Sequence, residues 1–178
     1  MAVSGKYMAY VGSYSYTGKA KGITVYDVDV EKGVFHKRCE VEVDNSSYVI
    51  ASSDGKTLYS IADEGVVAFR ILENGSLSRL NSAKINGMRG CHLSTDADDK
   101  YIFVSGYHDG KATVLRLGKD GAVGEIVDGV FHKGLGSVAE RNFRPHVSCC
   151  RRTPDNKFVL AVDSGLDQVK IYKFDEKD

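Results

Sequence analysis

The sequence predicts an all-β protein, a β-propeller made of four-stranded antiparallel blades. Two observations support this prediction. The first is composition, because 19 Gly, 2 Pro and no Trp among 178 residues indicate a turn-rich, strand-rich chain rather than a helical or disordered one. The second is an internal repeat of strand-like segments, each of which begins with a lysine.

The repeat becomes visible when the chain is aligned on Lys6, Lys56, Lys100 and Lys157, which are 50, 44 and 57 residues apart. After each lysine come a strand-like run, a polar loop and a second strand that alternates apolar and polar residues, as half-buried strands do. The aligned second strands read TVYDV, VAFRI, TVLRL and KIYKF. The last step is long because HKGLGSVAERNF is inserted there, and LGSVAERNF has room for one helical turn.

Two more strands complete the repeat. An inner strand precedes three of the lysines and ends in Asp-Gly, Asp-Asp or Asp-Asn, residues that tolerate the positive φ of tight hairpins. An outer strand follows the Gly turns of EKGVFHKR, ENGSLSRL and KDGAVGEI. Four strands at a spacing of ~40–50 residues are typical of propeller blades. We therefore expect a single domain with repeats at approximately 6–43, 44–86, 87–130 and 142–178.

The first repeat has no inner strand and the last has no outer strand, so these four blades read as part of a larger ring. An arc of blades leaves unpaired strand edges, and we expect a chain of this length to self-associate through them.

Charge and cysteine usage limit the function classes. Lys plus Arg equals Asp plus Glu at 24 each, so no net field attracts nucleic acid or an anionic membrane. The first residues lack the pattern of a signal peptide, no apolar run reaches a membrane-spanning length, and we expect a cytoplasmic protein. Cys39, Cys91, Cys149 and Cys150 are expected as reduced thiols packed in strands, with a Cys149–Cys150 disulfide or a zinc site as alternatives.

The repeat also predicts which side chains meet. Asn45, Arg89 and His146 each stand eleven residues before a repeat lysine, where an inner strand begins, and Tyr48, His92 and Cys149 share a second position. The polar loops that follow the lysine-led strands open on the same face of a blade as these strand starts. The candidates expected to converge there are Arg89, His92, His108, Asp109, Arg144, His146 and Asp163. Arg can hold a carboxylate or phosphate and His can move a proton, so this set suits a small anionic ligand.

Each candidate also has an ordinary structural role open to it. His146 follows Pro145 and can simply bond loop backbone at a rigid strand start. His92 can be a satisfied core residue, whereas His108, Asp109, Asp163 and Asp167 can be turn residues. His36 and His132 fall on outer strands and are expected to face solvent. No spacing matches a metal signature, a Gly-rich phosphate loop or a nucleophile elbow, so no metal or organic cofactor is predicted.

The segment RPHVSCCRRTPDNKFVLAVDSGLDQVKIYKF and the opening YVGSYSYTGKAKGITVYDVD resemble the lactonase family of seven-bladed β-propellers. That family includes propeller-type 6-phosphogluconolactonases and the fungal carboxy-muconate lactonizing enzyme. The resemblance covers nearly the whole chain, but relatives are about twice as long. The positions that match the family's motifs are Pro145, His146, Pro154, Asp155, Asp163, Gly165, Asp167 and Tyr172. Ser148 stands where the family has the second His of Pro-His-x-His, and Asn156 and Ser164 replace a Gly and a Leu.

The resemblance implies a lactonase that hydrolyses a sugar-acid lactone such as 6-phosphogluconolactone without a cofactor. It would make His146 the base or hydrogen-bond donor and Asp163 the residue that orients an imidazole. Arg89, Arg144, His92, His108 and Ser148 would then contact the substrate. Because a serine needs an activator to act as a base, Ser148 keeps open a non-catalytic propeller that binds a small anionic ligand or a protein. Muconate lactonization and an inactive fragment are the remaining alternatives.

Overall fold

The computed structural model describes residues 7–137 and 143–176, which form strands and turns. The residues 135–143, for which one helical turn was considered, extend outside the described residues. The strands, in chain order, are β1 (Tyr7–Gly12), β2 (Gly22–Asp29), β3 (Val34–Glu42), β4 (Val49–Ala51), β5 (Thr57–Ala62), β6 (Gly65–Ile71), β7 (Leu77–Lys84), β8 (His92–Thr95), β9 (Tyr101–Gly106), β10 (Lys111–Leu117), β11 (Val123–Phe131), β12 (Val147–Arg152), β13 (Phe158–Asp163) and β14 (Gln168–Lys173).

The strands form four separate antiparallel sheets, each of consecutive strands that pair in chain order. We number them as blades: blade 1 is β1–β3, blade 2 is β4–β7, blade 3 is β8–β11 and blade 4 is β12–β14. This all-β arrangement of blade-like sheets confirms the predicted fold class. The outer strands β3, β7 and β11 each contain a register shift against their neighbours, which increases the local twist of the blade.

The hairpins have the chemistry that the sequence predicts. The turns before Lys56, Lys100 and Lys157 place Gly55, Asp99 and Asn156 at φ values of 68°, 50° and 58°. Gly avoids the steric cost of this left-handed region, and Asn and Asp tolerate it better than most side chains. The three aligned positions therefore carry the same local conformation with three different residues.

The core lies between neighbouring blades rather than within one of them. One cluster contains Tyr59 and Ile61 of blade 2 together with Ile102 and Leu115 of blade 3, and each is at most 2% exposed. Separate clusters fill the spaces between blades 1 and 2 and between blades 3 and 4. Burying a side chain of this size contributes about 1.5–3 kcal/mol. Packing between blades therefore fixes how their loops meet.

Within the described residues, β1 and β14 each pair with a strand on one side only. Over residues 7–137 and 143–176, blade 1 therefore has no inner strand and blade 4 no outer strand, as the repeat pattern indicates. On β14, Val169 and Ile171 are 56% and 66% exposed. No helix in the described parts of the chain is long and apolar enough to cross a membrane.

Candidate functional site

The candidate site is built from the starts of the inner strands and from the turns that join β5 to β6, β9 to β10 and β13 to β14. Arg89, just before blade 3, donates from Nη1 to Oδ1 of Asp63 in the blade 2 turn, over 2.8 Å. His146, just before blade 4, places Nδ1 2.6 Å from the carbonyl oxygen of Tyr107 in the blade 3 turn. Two residues at the same repeat position therefore each contact the turn of the preceding blade, as expected if these loops lie on one face of the propeller.

Arg89 already has a carboxylate partner. Asp63 also accepts two hydrogen bonds from Asn45 Nδ2, at 3.0 and 2.9 Å. The Arg89 guanidinium lies 4.9 Å from the ring centroid of Tyr14, close enough for a cation–π interaction. A substrate anion would have to compete with Asp63 for this side chain.

The His146 side chain is held by ring stacking, by a hydrogen bond to Nδ1 and by close packing against Gly165. Its ring stacks on Tyr107, with centroids 4.2 Å apart and planes 13° apart. The α-carbon of Gly165 lies so close that an added Cβ would come within 2.9 Å of His146 Cδ2. Because a carbonyl oxygen can only accept, Nδ1 of His146 carries a hydrogen, and in the neutral ring Nε2 is the basic nitrogen.

Asp163 binds the backbone of the site and one imidazole, that of His132. Its Oδ1 accepts from the backbone N–H groups of His146, Gly165 and Leu166 at 2.8, 3.0 and 3.0 Å. Its Oδ2 accepts from Nδ1 of His132 at 2.6 Å. Asp163 therefore places His146 through the main chain, and the imidazole that it orients directly is that of His132.

The charge state of Asp163 follows from these contacts. Burial acts to raise the pKa of Asp163, but hydrogen bonds from the His146 backbone, the His132 ring and the Leu166 backbone outweigh it. The pKa of this carboxyl is therefore held below its ordinary value of 3.8. The group is an anion at neutral pH, although its side chain is 0% exposed.

The prediction that His132 faces solvent is wrong, whereas His36 is exposed as predicted. The His132 side chain is 0% exposed. The alternation of β11 ends at Phe131, and the chain there leaves the strand for blade 4, so the outer-strand pattern no longer sets the direction of His132. The unusual length of this connection was the one sequence signal that could have singled out His132.

His92 lies in a row of side chains from successive inner strands. Its ring centroid is 4.9 Å from that of Tyr48, and its Nε2 is 3.6 Å from Cys149 Sγ. The structure thus brings together the three residues that share the second predicted position. Burial, with a smaller contribution from Arg151, lowers the pKa of His92, and burial raises the pKa of Cys149. The pair is accordingly a neutral imidazole beside a thiol.

Ser148 occupies a β-bulge in β12, between Val147 and Cys149. Its Oγ donates to the carbonyl oxygen of Val162 within its own blade, over 3.4 Å. Its repeat equivalents reach the next blade instead, since Ser47 Oγ donates to Gly90 O at 3.3 Å and Cys91 Sγ to Val147 O at 3.5 Å.

The remaining candidates lie at the rim of the site. His108 and Arg144 are exposed. Asp109 Oδ2 accepts from the backbone N–H of Met88 at 2.9 Å, which joins its turn to the start of blade 3. All four cysteines are free thiols, and Cys91 lies just before β8 rather than in a strand. Within residues 7–137 and 143–176, no group of three or more His, Cys, Asp or Glu is arranged to hold a metal ion.

Comparison with known proteins gives the site its family. The model of the family "Lactonase, 7-bladed beta-propeller" matches residues 8–178. A 6-phosphogluconolactonase of Bacillus subtilis is 34% identical over 174 residues, which are 94% of this chain and 49% of that protein. A solved structure of a candidate 6-phosphogluconolactonase from Bacteroides fragilis superimposes with a TM-score of 0.89 at 36% identity, covering 97% of this chain and 49% of that one.

A periplasmic gluconolactonase of Pseudomonas aeruginosa superimposes with a TM-score of 0.86 at 24% identity, covering 94% of this chain and 49% of that one; it shows the fold alone. The chain spans about half the length of the curated relatives that it matches. The matched family model, the sequence identity and the blade architecture agree, and the chain belongs to the lactonase family of seven-bladed β-propellers.

Proposed function

We propose that this chain carries part of the active site of a lactonase that hydrolyses a sugar-acid lactone of the 6-phosphogluconolactone type. The observation that supports this proposal most strongly is the way His146 is held. Its Nδ1 hydrogen is committed to the Tyr107 carbonyl 2.6 Å away, which leaves Nε2 as the nitrogen that can take a proton. The name of the B. subtilis relative supports the substrate class.

In the proposed reaction, His146 Nε2 accepts a proton from a water molecule as the water oxygen attacks the lactone carbonyl. The imidazolium that forms keeps its Nδ1–H bond to the Tyr107 carbonyl, an acceptor that favours the positive charge. The ring oxygen then leaves as it takes this proton back from the imidazolium, which restores the neutral imidazole, and the product is the open-chain hydroxy acid. Arg144, which is exposed at the rim, would hold the anionic end of the substrate, because guanidinium binds carboxylate and phosphate in a planar fork.

The sharpest test replaces His146 by Asn, whose amide N–H can replace the Nδ1 donor while Nε2 is lost. In the protein as its native source produces it, His146→Asn should lower kcat for 6-phosphogluconolactone by about 10²–10⁴-fold with little change in KM. His36→Asn, on the exposed strand β3, is the matched control and should retain activity. Unchanged turnover in His146→Asn would exclude this residue as the base.

Ser148 supports a second candidate function, that of a propeller that binds a sugar acid without turnover. The position where the family has its second His carries a hydroxyl that donates to Val162 O, 3.4 Å away within its own blade. Calorimetry with 6-phosphogluconate, alongside the lactone assay, separates the two candidates. Tight binding with no hydrolysis of several sugar lactones would favour the binding protein, whereas turnover would exclude it.

A further inference from the structure

We propose that His132 is the positioning residue for His146, because it joins the two turns that hold this side chain. The inference rests on the proposed function only in its consequence for catalysis. The geometric part concerns the placement of the His146 ring, which can be measured whether or not the protein hydrolyses lactones. The two histidines are not neighbours in the sequence, since His132 lies fourteen residues before His146.

The first of the two turns belongs to blade 3. Tyr107 in this turn provides both the stacking ring and the carbonyl acceptor for His146. At the other end of the turn, Gly110 packs so closely on Pro145 that an added Cβ would lie 2.6 Å from the proline Cβ. The backbone N–H of His132 donates to the Gly110 carbonyl over 2.9 Å. His132 is thereby tied to the turn that forms one wall of the His146 site.

The second turn belongs to blade 4. Asp163 accepts from the backbone N–H groups of His146, Gly165 and Leu166, and the Ser164 backbone N–H donates to the His146 carbonyl over 2.9 Å. The ring of His132 donates to the remaining oxygen of Asp163. One residue therefore contacts the blade 3 turn through its backbone and the blade 4 turn through its side chain, with His146 between them.

The chemistry of His132 favours positioning over proton transfer. Its Nε2 is buried and has no hydrogen-bond partner among the residues that the structure describes. A hydrogen on that nitrogen would place an unpaired N–H in a buried site, so the tautomer with hydrogen on Nδ1 is favoured. This tautomer can only donate to Asp163, which fixes the orientation of the carboxylate and hence of the backbone that carries His146.

Three substitutions of His132 in the 178-residue chain test the proposal. Asn places an amide N–H near the position of Nδ1, Gln places it near the position of Nε2, and Leu has no donor. The readout is the tautomer of His146, followed by long-range ¹H–¹⁵N correlation spectra of the ring. His132→Asn should keep the Nδ1–H tautomer of His146, whereas His132→Leu and His132→Gln should yield a mixture. His36→Leu, at an exposed position, is the control and should leave the His146 signals unchanged.

A folded His132→Leu variant with wild-type His146 signals would overturn the proposal. If that variant does not fold, the comparison of His132→Asn with His132→Gln decides, and identical His146 signals in those two variants would likewise overturn it. Where lactone turnover is present, His132→Leu should lower kcat at least about 10-fold with a nearly constant KM, and His132→Asn should restore much of it. Altered tautomers in a protein without turnover would support the positioning role and contradict the proposed function.

Discussion

Two strand starts of this propeller occupy the same repeat position but are held in place by different contacts. At the start of blade 3, Arg89 pairs with Asp63, and the two side chains are 28% and 46% exposed. At the start of blade 4, His146 is anchored by Asp163, which is paired with His132, and both of these side chains are 0% exposed. Both starts bond the turn of the preceding blade, but only the second is anchored by side chains that are fully buried.

The difference shows how burial changes the meaning of a charged contact. An exposed ion pair is worth about 0–1 kcal/mol, because water and salt compete with it. A buried carboxylate has to be satisfied fully, and losing its partners is costly. Asp163 meets this requirement with three backbone N–H groups and one imidazole. The blade 4 start can therefore hold a side chain in one orientation. The blade 3 start has fewer buried hydrogen bonds with which to do so.

The largest expected effect comes from removing the two carboxylates in turn. Asp163→Ala should lower the free energy of unfolding by about 3–5 kcal/mol, because it leaves three buried backbone donors and the His132 ring without an acceptor. Asp63→Ala, the matched change at the more exposed site, should cost less, about 1–2 kcal/mol, because it breaks a partly exposed ion pair and removes the acceptor of Asn45 Nδ2. Urea unfolding followed by circular dichroism measures both. Equal losses in the two variants would remove the contrast between the strand starts.

A second prediction concerns the space beside His146. A Cβ on Gly165 would overlap the carbonyl oxygen of Arg144 and come within 2.9 Å of His146 Cδ2 and N. We expect Gly165→Ala to cost about 1–3 kcal/mol and to displace the His146 ring. Gly129→Ala in β11 is the control, because its Cβ would meet nothing closer than Lys111 Cε at 3.4 Å. Thermal unfolding of both variants checks this prediction. An unchanged Tm in Gly165→Ala would mean that the blade 4 turn can shift at little cost.

A third prediction uses the acid dependence of the Asp163 site. A carboxyl whose pKa is lowered in the folded state stabilises the fold above its ordinary pKa, and that contribution is lost as pH falls towards the lower, folded-state value. Asp163→Asn cannot titrate. The stability gap between wild type and Asp163→Asn should be largest near neutral pH and should shrink below the ordinary value of 3.8. Urea unfolding across this range gives the gap, and a gap independent of pH would contradict the assignment of Asp163 as a buried anion.

The sequence predicts the blades well and the site in part, for physical reasons. Strand alternation and turn chemistry are local, so the hairpins at Gly55, Asp99 and Asn156 could be read directly. Repeat register also predicted that Arg89 and His146 stand at equivalent strand starts, and each of them contacts the turn of the preceding blade. The partners of these residues depend on contacts between blades. That Arg89 is already paired with Asp63, and that Asp163 binds His132, follow from packing that no local pattern contains.

The smallest expected effect tests the exposed side of the comparison. Arg89→Gln removes the charge that pairs with Asp63 but keeps a polar side chain of similar reach, and we expect a loss of less than about 1 kcal/mol in low salt. At about 1 M salt the screening length falls to roughly 3 Å, so the wild type and Arg89→Gln should become nearly equal in stability. Urea unfolding at both salt concentrations measures the change. A difference that persists in high salt would mean that the Arg89–Asp63 pair is shielded from ions much as the His132–Asp163 pair is. The two strand starts would then differ in their residues but not in how well their charges are shielded from solvent.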